Sequence, residues 1–392
     1  MPAFSIQNLR ALVPLVFSKG VKMRNKWQDM FSQQSGEKRM KLDVCDWMSR
    51  ATFDVIGSAG FDYQLNAIDN GDNELLHAYK EMFEVGISQG GAMRMIVFLY
   101  FPLLRWLLHD HRTRTIKKCK AVIHRVAGQL IQEKKQKILE AEKAGKTYQG
   151  KDLLTLLLKS NQSVDIQPEQ RCSDEDILNN INTFMFAGSD TTSLALTWTF
   201  LLLAMYPDCQ NILRTEILSV LPSAPLESLT DEEVESLYAT IADLPYLDKV
   251  CRESLRIIPP LHSSIRAATQ DDVVPTSSPM KFKQPDGTIK EEIRSIRVPK
   301  GSAVHIAVEA FNLDKEVWGS DAWAFVPDRW DNLPETVLSN PGLYSNMMTF
   351  SAGPRSCIGL RFSLIEMKSF LFILLANFTF ATSDEKIAKA NV

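Results

Sequence analysis

One cysteine near the C-terminal end, Cys357, lies in a stretch whose composition suits a metal ligand. Residues 350–359 read Phe-Ser-Ala-Gly-Pro-Arg-Ser-Cys-Ile-Gly, so that an arginine stands two positions before the cysteine. An apolar segment typical of a helix follows directly, over 360–371. Because the N-terminal end of a helix is positive, a thiolate offered there is stabilised and can hold a metal. The alternative is a structural cysteine, since lone cysteines are often small buried hydrophobic residues.

A second unusual stretch lies in the middle of a long apolar segment, which predicts a helix over 173–205. Residues 187–192 read Ala-Gly-Ser-Asp-Thr-Thr. These residue types are poor choices for a helix interior, and hydroxyls there can bond back to the preceding turn and loosen it. Such loosening would open a local groove. A helix kink with a packing role is the alternative interpretation.

These two stretches resemble the haem loop and the oxygen-side helix of the cytochrome P-450 family. The first matches the pattern Phe-x-x-Gly-x-Arg-x-Cys-x-Gly. Three further matches follow the family order: Glu253-x-x-Arg256, then Arg266 after a Pro-Pro pair, then a Pro-x-Arg segment that ends at Arg329. The motifs span 187–359, and the likeness is nearest to the eukaryotic microsomal type, with a fungal character.

The resemblance implies a cysteine-ligated haem (iron protoporphyrin IX) in a mainly α fold with a small β-sheet (α+β). It implies that Cys357 is the axial ligand of the iron, that Thr191 hydrogen-bonds dioxygen, and that Asp190 relays protons. The other cofactor-binding positions it implies are Ala187, Gly188, Arg266, Phe350, Gly353, Arg355 and Gly359. Arg266 and Arg355 would pair with haem propionates, because a guanidinium matches a carboxylate.

Three residues have a structural role by the same resemblance. Glu253, Arg256 and Arg329 are implied to form one buried network that supports the cysteine loop. Removing one member should be severe, since it leaves an uncompensated buried charge.

The composition argues against several other kinds of protein. The chain has 392 residues and a net charge of −3, which argues against a nucleic-acid partner. Its six cysteines include no CxxC pair, so that neither a disulfide framework nor a zinc site is indicated. No apolar segment is long enough to span a bilayer.

The sequence predicts one catalytic domain over 1–392, whose segments are a helical region (1–160), the long central helix over the haem (173–205), the Glu-x-x-Arg helix (244–257), a small sheet (264–308), and the cysteine loop with its following helix (350–376). Residues 93–108 are dense in large apolar side chains. Core packing is the first interpretation, and a surface that dips into a membrane is the second.

The resemblance ends short of the family pattern on both sides. Residues 1–5 resemble the family segment that follows a Trp-x-x-x-Arg helix, and that signature is absent from this sequence. We therefore expect a truncated member without the membrane anchor, the first helices, part of the sheet and one propionate-binding arginine. A C-terminal hairpin is expected to be missing as well.

The first hypothesis is a monomeric haem-thiolate monooxygenase that inserts one atom of O2 into an apolar small molecule. Electrons would come from an NADPH-dependent flavoprotein reductase, because the chain has no dinucleotide-binding fingerprint. The full-length parent would lie on the cytoplasmic face of the endoplasmic reticulum membrane. A peroxide-using or isomerising haem-thiolate enzyme is the second hypothesis, against which Asp190 and Thr191 argue. An inactive haem-binding or non-folding fragment is the third.

Overall fold

The structure of the protein is a computed structural model, which describes residues 4–33, 39–88, 111–145, 148, 150, 152–162, 171–283 and 286–383. Contacts divide the chain into two compact units. Unit one comprises Met1–Ser254, Phe325–Asp331 and Cys357–Val392, and unit two comprises Leu255–Ala324 and Asn332–Ser356.

Unit one is helical. Its helices are α1 (Ile6–Arg10), α2 (Val13–Gln33), α3 (Val44–Phe61), α4 (Glu74–Ser88), α5 (His111–Lys143), α6 (Leu153–Gln162), α7 (Asp174–Met205), α8 (Pro207–Ser219), α9 (Asp231–Ala242), most of α10 (Pro245–Ile257), and α14 (Leu360–Asn377). The apolar segment 93–108 lies outside the described residues.

Two helices form the centre of unit one because they are apolar on nearly every side. Helix α7 packs against α3, and α14 packs against α2. The side chains from Phe370 to Leu375 are all fully buried, as expected of a helix that is hydrophobic all round. Aromatic pairs join the layers, for instance Phe17 with Phe372 at 6.3 Å between ring centroids.

Helix α7 begins at a capping box formed by Ser173 and Asp176. The Ser173 hydroxyl accepts a hydrogen bond from the backbone N–H of Asp176 at 3.1 Å, and the Asp176 carboxylate accepts one from the Ser173 backbone N–H at 2.9 Å. This reciprocal arrangement satisfies two backbone donors at the helix start. It fixes the first residue of the helix that carries the 187–192 stretch.

Unit two contains the strands and five short helical segments. The strands are β1 (Ser264–Ala267), β2 (Asp272–Lys283), β3 (Ile289–Val298) and β4 (Ala303–Ile306). The helical segments that precede the cysteine loop are α11 (Val308–Asn312), α12 (Lys315–Trp318), α13 (Glu335–Leu338) and the 3-10 turn Met348–Phe350. A second 3-10 turn, Gly353–Arg355, ends the unit's part of that loop.

The strands form two separate antiparallel pairs, whereas the sequence predicted a single small sheet. Strand β1 pairs with β4, with Ser264 opposite Ile306, and β2 pairs with β3, with Asp272 opposite Val298. Strand β2 was not predicted because it contains prolines, which are rare inside strands. Its ladder shifts register after Pro275, where proline offers no N–H.

The fold class is confirmed: the chain is mainly helical with small antiparallel sheets. In the described ranges, no helix combines the length and the apolar character needed to cross a bilayer.

Candidate active site

The 187–192 stretch forms one turn of α7 whose hydroxyls bond back along the helix. Ser189 donates to the Met185 carbonyl at 2.8 Å, and Thr191 donates to the Ala187 carbonyl at 2.8 Å. The predicted back-bonding is therefore present. The helix nevertheless continues unbroken from Asp174 to Met205.

Gly188 has a packing reason within unit one. A Cβ at this position would lie 2.8 Å from Cδ1 and 2.9 Å from Cγ1 of Ile56 on α3. The neighbouring Ser189 carbonyl also accepts a hydrogen bond from the buried Thr52 hydroxyl of α3, at 3.0 Å. The close approach of two helices therefore accounts for the glycine, in line with the packing alternative, and the predicted cofactor role of Ala187 and Gly188 stays a prediction.

Asp190 is a carboxyl group with a high proton affinity. Burial raises its pKa from the usual value near 3.8 to about 6, and the charge of Lys80 on α4 partly offsets that rise. Tyr79, also on α4, is 5% exposed and donates to the Asn182 side chain at 3.2 Å. Burial raises the pKa of Tyr79, and the nearby Asp190 raises it further. Asp190 can therefore hold or release a proton close to neutral pH.

Glu366 on α14 is a site residue that the sequence analysis missed. It is 0% exposed, and neither carboxyl oxygen has a well-aligned hydrogen-bond partner in the described part of the chain. Burial raises its pKa well above the usual value, and the neighbouring Thr192 hydroxyl of α7 offsets this only in part. A carboxyl group whose burial favours the protonated form thus lies beside the turn that carries Asp190 and Thr191. The available signal was one acidic residue inside an otherwise apolar helix.

Cys357 is exposed, and it has no disulfide partner. Among the described residues there is no group of three or more His, Cys, Asp or Glu side chains that could hold a metal ion by themselves. A single exposed thiol fits a haem, for which the protein would need to supply only one thiolate. A Cβ at Gly359 would lie 3.7 Å from the Cys357 sulfur, which is an ordinary van der Waals distance.

The part of the loop that belongs to unit two has constrained backbone. Gly353 has φ +71°, a conformation that favours glycine, and Ser351 has φ +61° although it carries a side chain. Phe350 is buried and packs edge-on against Tyr344 at 5.7 Å. Arg355 is exposed. Arg266 on β1 is also exposed, and its guanidinium donates to the Ile265 carbonyl at 3.1 Å.

Two of the three structural residues meet in unit one. Glu253 on α10 is 0% exposed, and it accepts hydrogen bonds from the Val326 backbone N–H at 3.0 Å and from Nε of Arg329 at 3.3 Å. Both bonds are to Oε1, and a backbone donor and a buried guanidinium are the kinds of partner that a buried carboxylate needs. The predicted pairing of Glu253 with Arg329 is present.

Arg256 belongs to unit two and binds backbone there. Its guanidinium donates to the carbonyls of Asn312 at 3.0 Å, Ala322 at 2.6 Å and Ala324 at 3.2 Å. It also lies over the ring of Trp318, 5.1 Å from the centroid. The sequence had given no sign of these carbonyl acceptors, which lie 56 to 68 residues further along the chain.

The predicted site residues are thus distributed over both units. Unit one contains Ala187, Gly188, Asp190, Thr191, Glu253, Arg329, Cys357 and Gly359, and unit two contains Arg256, Arg266, Phe350, Gly353 and Arg355. Sequence reasoning did not find Tyr79 and Lys80, which lie near Asp190, or Glu366, which lies beside Thr192.

Comparison with known proteins identifies the family. The cytochrome P450 family model matches residues 1–391. Cytochrome P450 monooxygenase 205 of Postia placenta is 39% identical over 401 residues, which cover 99% of this chain and 69% of the relative. Cytochrome P450 monooxygenase 128 of the same fungus is 38% identical, over 97% of this chain and 67% of the relative. Ganoderic acid synthetase CYP5150L8 of Ganoderma lucidum is 34% identical, over 98% of this chain and 70% of the relative.

The family match extends over almost the whole chain, and the three relatives named above are fungal, in agreement with the fungal character expected from the sequence. The exposed Cys357 thiol and the buried Glu253–Arg329 pair agree with this family match. The chain belongs to the cytochrome P450 family, whose members are haem-thiolate monooxygenases that act on organic substrates with O2.

Proposed function

We propose that Cys357 is the axial ligand of the haem iron and that Asp190 and Thr191 handle the protons of the reaction. The observation that carries the proposal is the exposed thiol of Cys357, three residues before α14 begins. The described residues contain no group of three or more His, Cys, Asp or Glu side chains that could hold a metal ion. In this arrangement Phe350, Gly353, Arg355 and Gly359 shape the ligand loop, and Arg266 and Arg355 are the partners of the propionates.

The thiolate-ligated haem supplies the binding of O2 and the cleavage of its O–O bond when it is bound. The chain supplies protons. The Thr191 hydroxyl donates to the Ala187 carbonyl of its own helix, and rotation about χ1 would let it donate to a bound ligand instead. The Asp190 carboxyl, with a pKa of about 6 and with Lys80 nearby, returns a proton to that hydroxyl.

Electrons, on this proposal, come from an NADPH-dependent flavoprotein reductase, and the enzyme acts as a monomer on an apolar small molecule. The family implies a redox partner in general. The absence of a dinucleotide-binding fingerprint from the sequence supports an external donor. A place on the cytoplasmic face of the endoplasmic reticulum membrane belongs to the same proposal.

Substitution of the cysteine tests the assignment. In the purified chain reduced with dithionite and exposed to carbon monoxide, we expect a Soret band shifted far to the red. Cys357→Ser should abolish this band, because a serine hydroxyl is not a thiolate ligand. Cys45→Ser is the matched control, since Cys45 is also an exposed cysteine of unit one and should leave the band unchanged. A red-shifted band that survived in Cys357→Ser would refute the proposal.

A further inference from the structure

Asn312 is a buried amide at the end of α11 that links two segments of unit two. It is 0% exposed. Its Oδ1 accepts a hydrogen bond from the Met348 backbone N–H at 2.9 Å, and its Nδ2 donates to the Thr349 hydroxyl at 2.9 Å. One side chain therefore engages two consecutive residues that lie 36 and 37 positions further along the chain.

The network around Asn312 is closed on the other side as well. Thr349 passes the hydrogen bond on, because its hydroxyl donates to the Leu255 carbonyl at 2.8 Å. The Asn312 carbonyl accepts from Arg256 at 3.0 Å. Asn312 is thus held by Arg256 through its backbone carbonyl, and it holds Met348 and Thr349 through its side chain. Both the acceptor and the donor of the side-chain amide are bonded.

The segment that Asn312 fixes leads into the ligand loop. Met348 and Thr349 open the 3-10 turn that ends at Phe350, and Cys357 follows seven residues later. Ser351, directly after the turn, has φ +61°, which is costly for a residue with a side chain and persists only when surrounding contacts hold it. The Ser351 carbonyl is held by the Leu343 backbone N–H at 3.1 Å. The Asn312 amide holds the other side of this strained residue.

We propose that Asn312 is a positioning residue for the thiolate ligand, acting through Met348 and Thr349 on the loop that carries Cys357. The inference rests on the proposed ligation by Cys357. Asparagine suits the role because it places one acceptor and one donor on a short, flat group. Leucine has nearly the same size and provides neither, and a buried unpaired N–H or hydroxyl is costly.

The experiment compares the thiolate–haem spectrum of three variants with that of the unchanged chain, each as haem-loaded protein. Asn312→Leu removes both side-chain hydrogen bonds. Thr349→Val removes the hydroxyl that bonds to both Asn312 and Leu255 while keeping the shape of the side chain, and Thr349→Ser keeps that hydroxyl. Asn332→Ala is the control, since Asn332 is an exposed asparagine of the same unit. The readout is the fraction of carbon monoxide-bound ferrous haem that absorbs at the ordinary rather than the far-red position, and helix content by circular dichroism is recorded beside it.

We expect Asn312→Leu to raise the non-thiolate fraction about tenfold or more at a temperature at which the helix content is unchanged. Thr349→Val should raise it several-fold, and Thr349→Ser and Asn332→Ala should match the unchanged chain. If Asn312→Leu does not yield folded protein, the Thr349→Val and Thr349→Ser pair decides, because both variants keep the size of the side chain nearly constant.

Two negative results are distinguishable. If the unchanged chain shows the far-red band and both Asn312→Leu and Thr349→Val keep it as fully as Asn332→Ala, the positioning role is wrong and the ligation by Cys357 stands. If the unchanged haem-loaded chain shows no far-red band, the ligation itself fails, and the positioning role is overturned with it.

Discussion

Glu253 and Glu366 are two glutamates of unit one that are equally buried and differently used. Both are 0% exposed. Glu253 has a backbone N–H donor and the Arg329 guanidinium, whereas neither oxygen of Glu366 has a well-aligned partner in the described residues. Burial alone therefore does not decide what a carboxyl group does in this protein.

The partners decide it. A buried carboxylate that meets a guanidinium acts as a structural tie. A buried carboxyl without such a partner takes up a proton instead, because desolvation penalises the charged form. Asp190 is intermediate. Burial raises its pKa to about 6, and the positive charge of Lys80 keeps that pKa from rising further. The same substitution, carboxyl to amide, should therefore have opposite effects in these places.

The largest effect is expected for Glu253→Gln. The substitution leaves the buried Arg329 without its counter-charge, so that the free energy of unfolding should fall by about 3–5 kcal/mol. Denaturant unfolding at pH 7 measures it, with the exposed Glu235→Gln as the control, which should change little. A loss below about 1 kcal/mol would mean that the pair is not the tie described.

Glu366→Gln should instead stabilise the protein at neutral pH. The folded pKa of Glu366 is raised, so its contribution to stability is fully present below the unfolded pKa and is lost as the pH rises through the interval up to the folded pKa. A glutamine needs no proton, and we expect a gain on the order of 1–2 kcal/mol at pH 7 that vanishes near pH 4. Unfolding measured at both pH values provides its own control. A destabilisation at pH 7 as large as that of Glu253→Gln would abolish the contrast between the two residues.

Asp190→Asn should have the smallest effect on stability and a clear effect on turnover. Its folded pKa of about 6 exceeds the unfolded value, so stability is lost between about pH 4 and pH 6, and the variant should gain about 1 kcal/mol at pH 7 after allowance for partial exposure. Proton delivery should suffer at the same time, so that more of the reducing equivalents end as peroxide and fewer as product.

Thr191→Ala should likewise divert reducing equivalents from product into peroxide, without changing the pH dependence of stability. Unchanged product per electron in both variants would contradict the assigned proton path.

The parts of the site that the sequence predicted are those carried by local patterns. The capping box at Ser173, the Cys357 loop and the Glu253–Arg256 spacing are each readable within ten residues. The missed features depend on packing between distant segments. Asn312 engages residues 36 positions away, and the orphan state of Glu366 shows only when α14 packs beside Thr192.

The strand β2 was missed for a different reason. Its prolines indicate a loop to any local pattern, and only the partner strand β3 reveals the extended conformation. The two-sheet arrangement likewise follows from pairings that no single segment contains. In physical terms, local propensity is visible in the sequence, whereas the partner that overrides it is not.

The contact of Gly188 with Ile56 has a consequence for sequence variation. At 2.8 Å, the space for a methyl group at position 188 is already occupied by the end of the Ile56 side chain. A side chain added on α7 at this point therefore forces the Ile56 side chain of α3 to move or to become smaller. The two positions should vary as a pair across homologous chains, with alanine at 188 accompanied by valine or a smaller residue at 56.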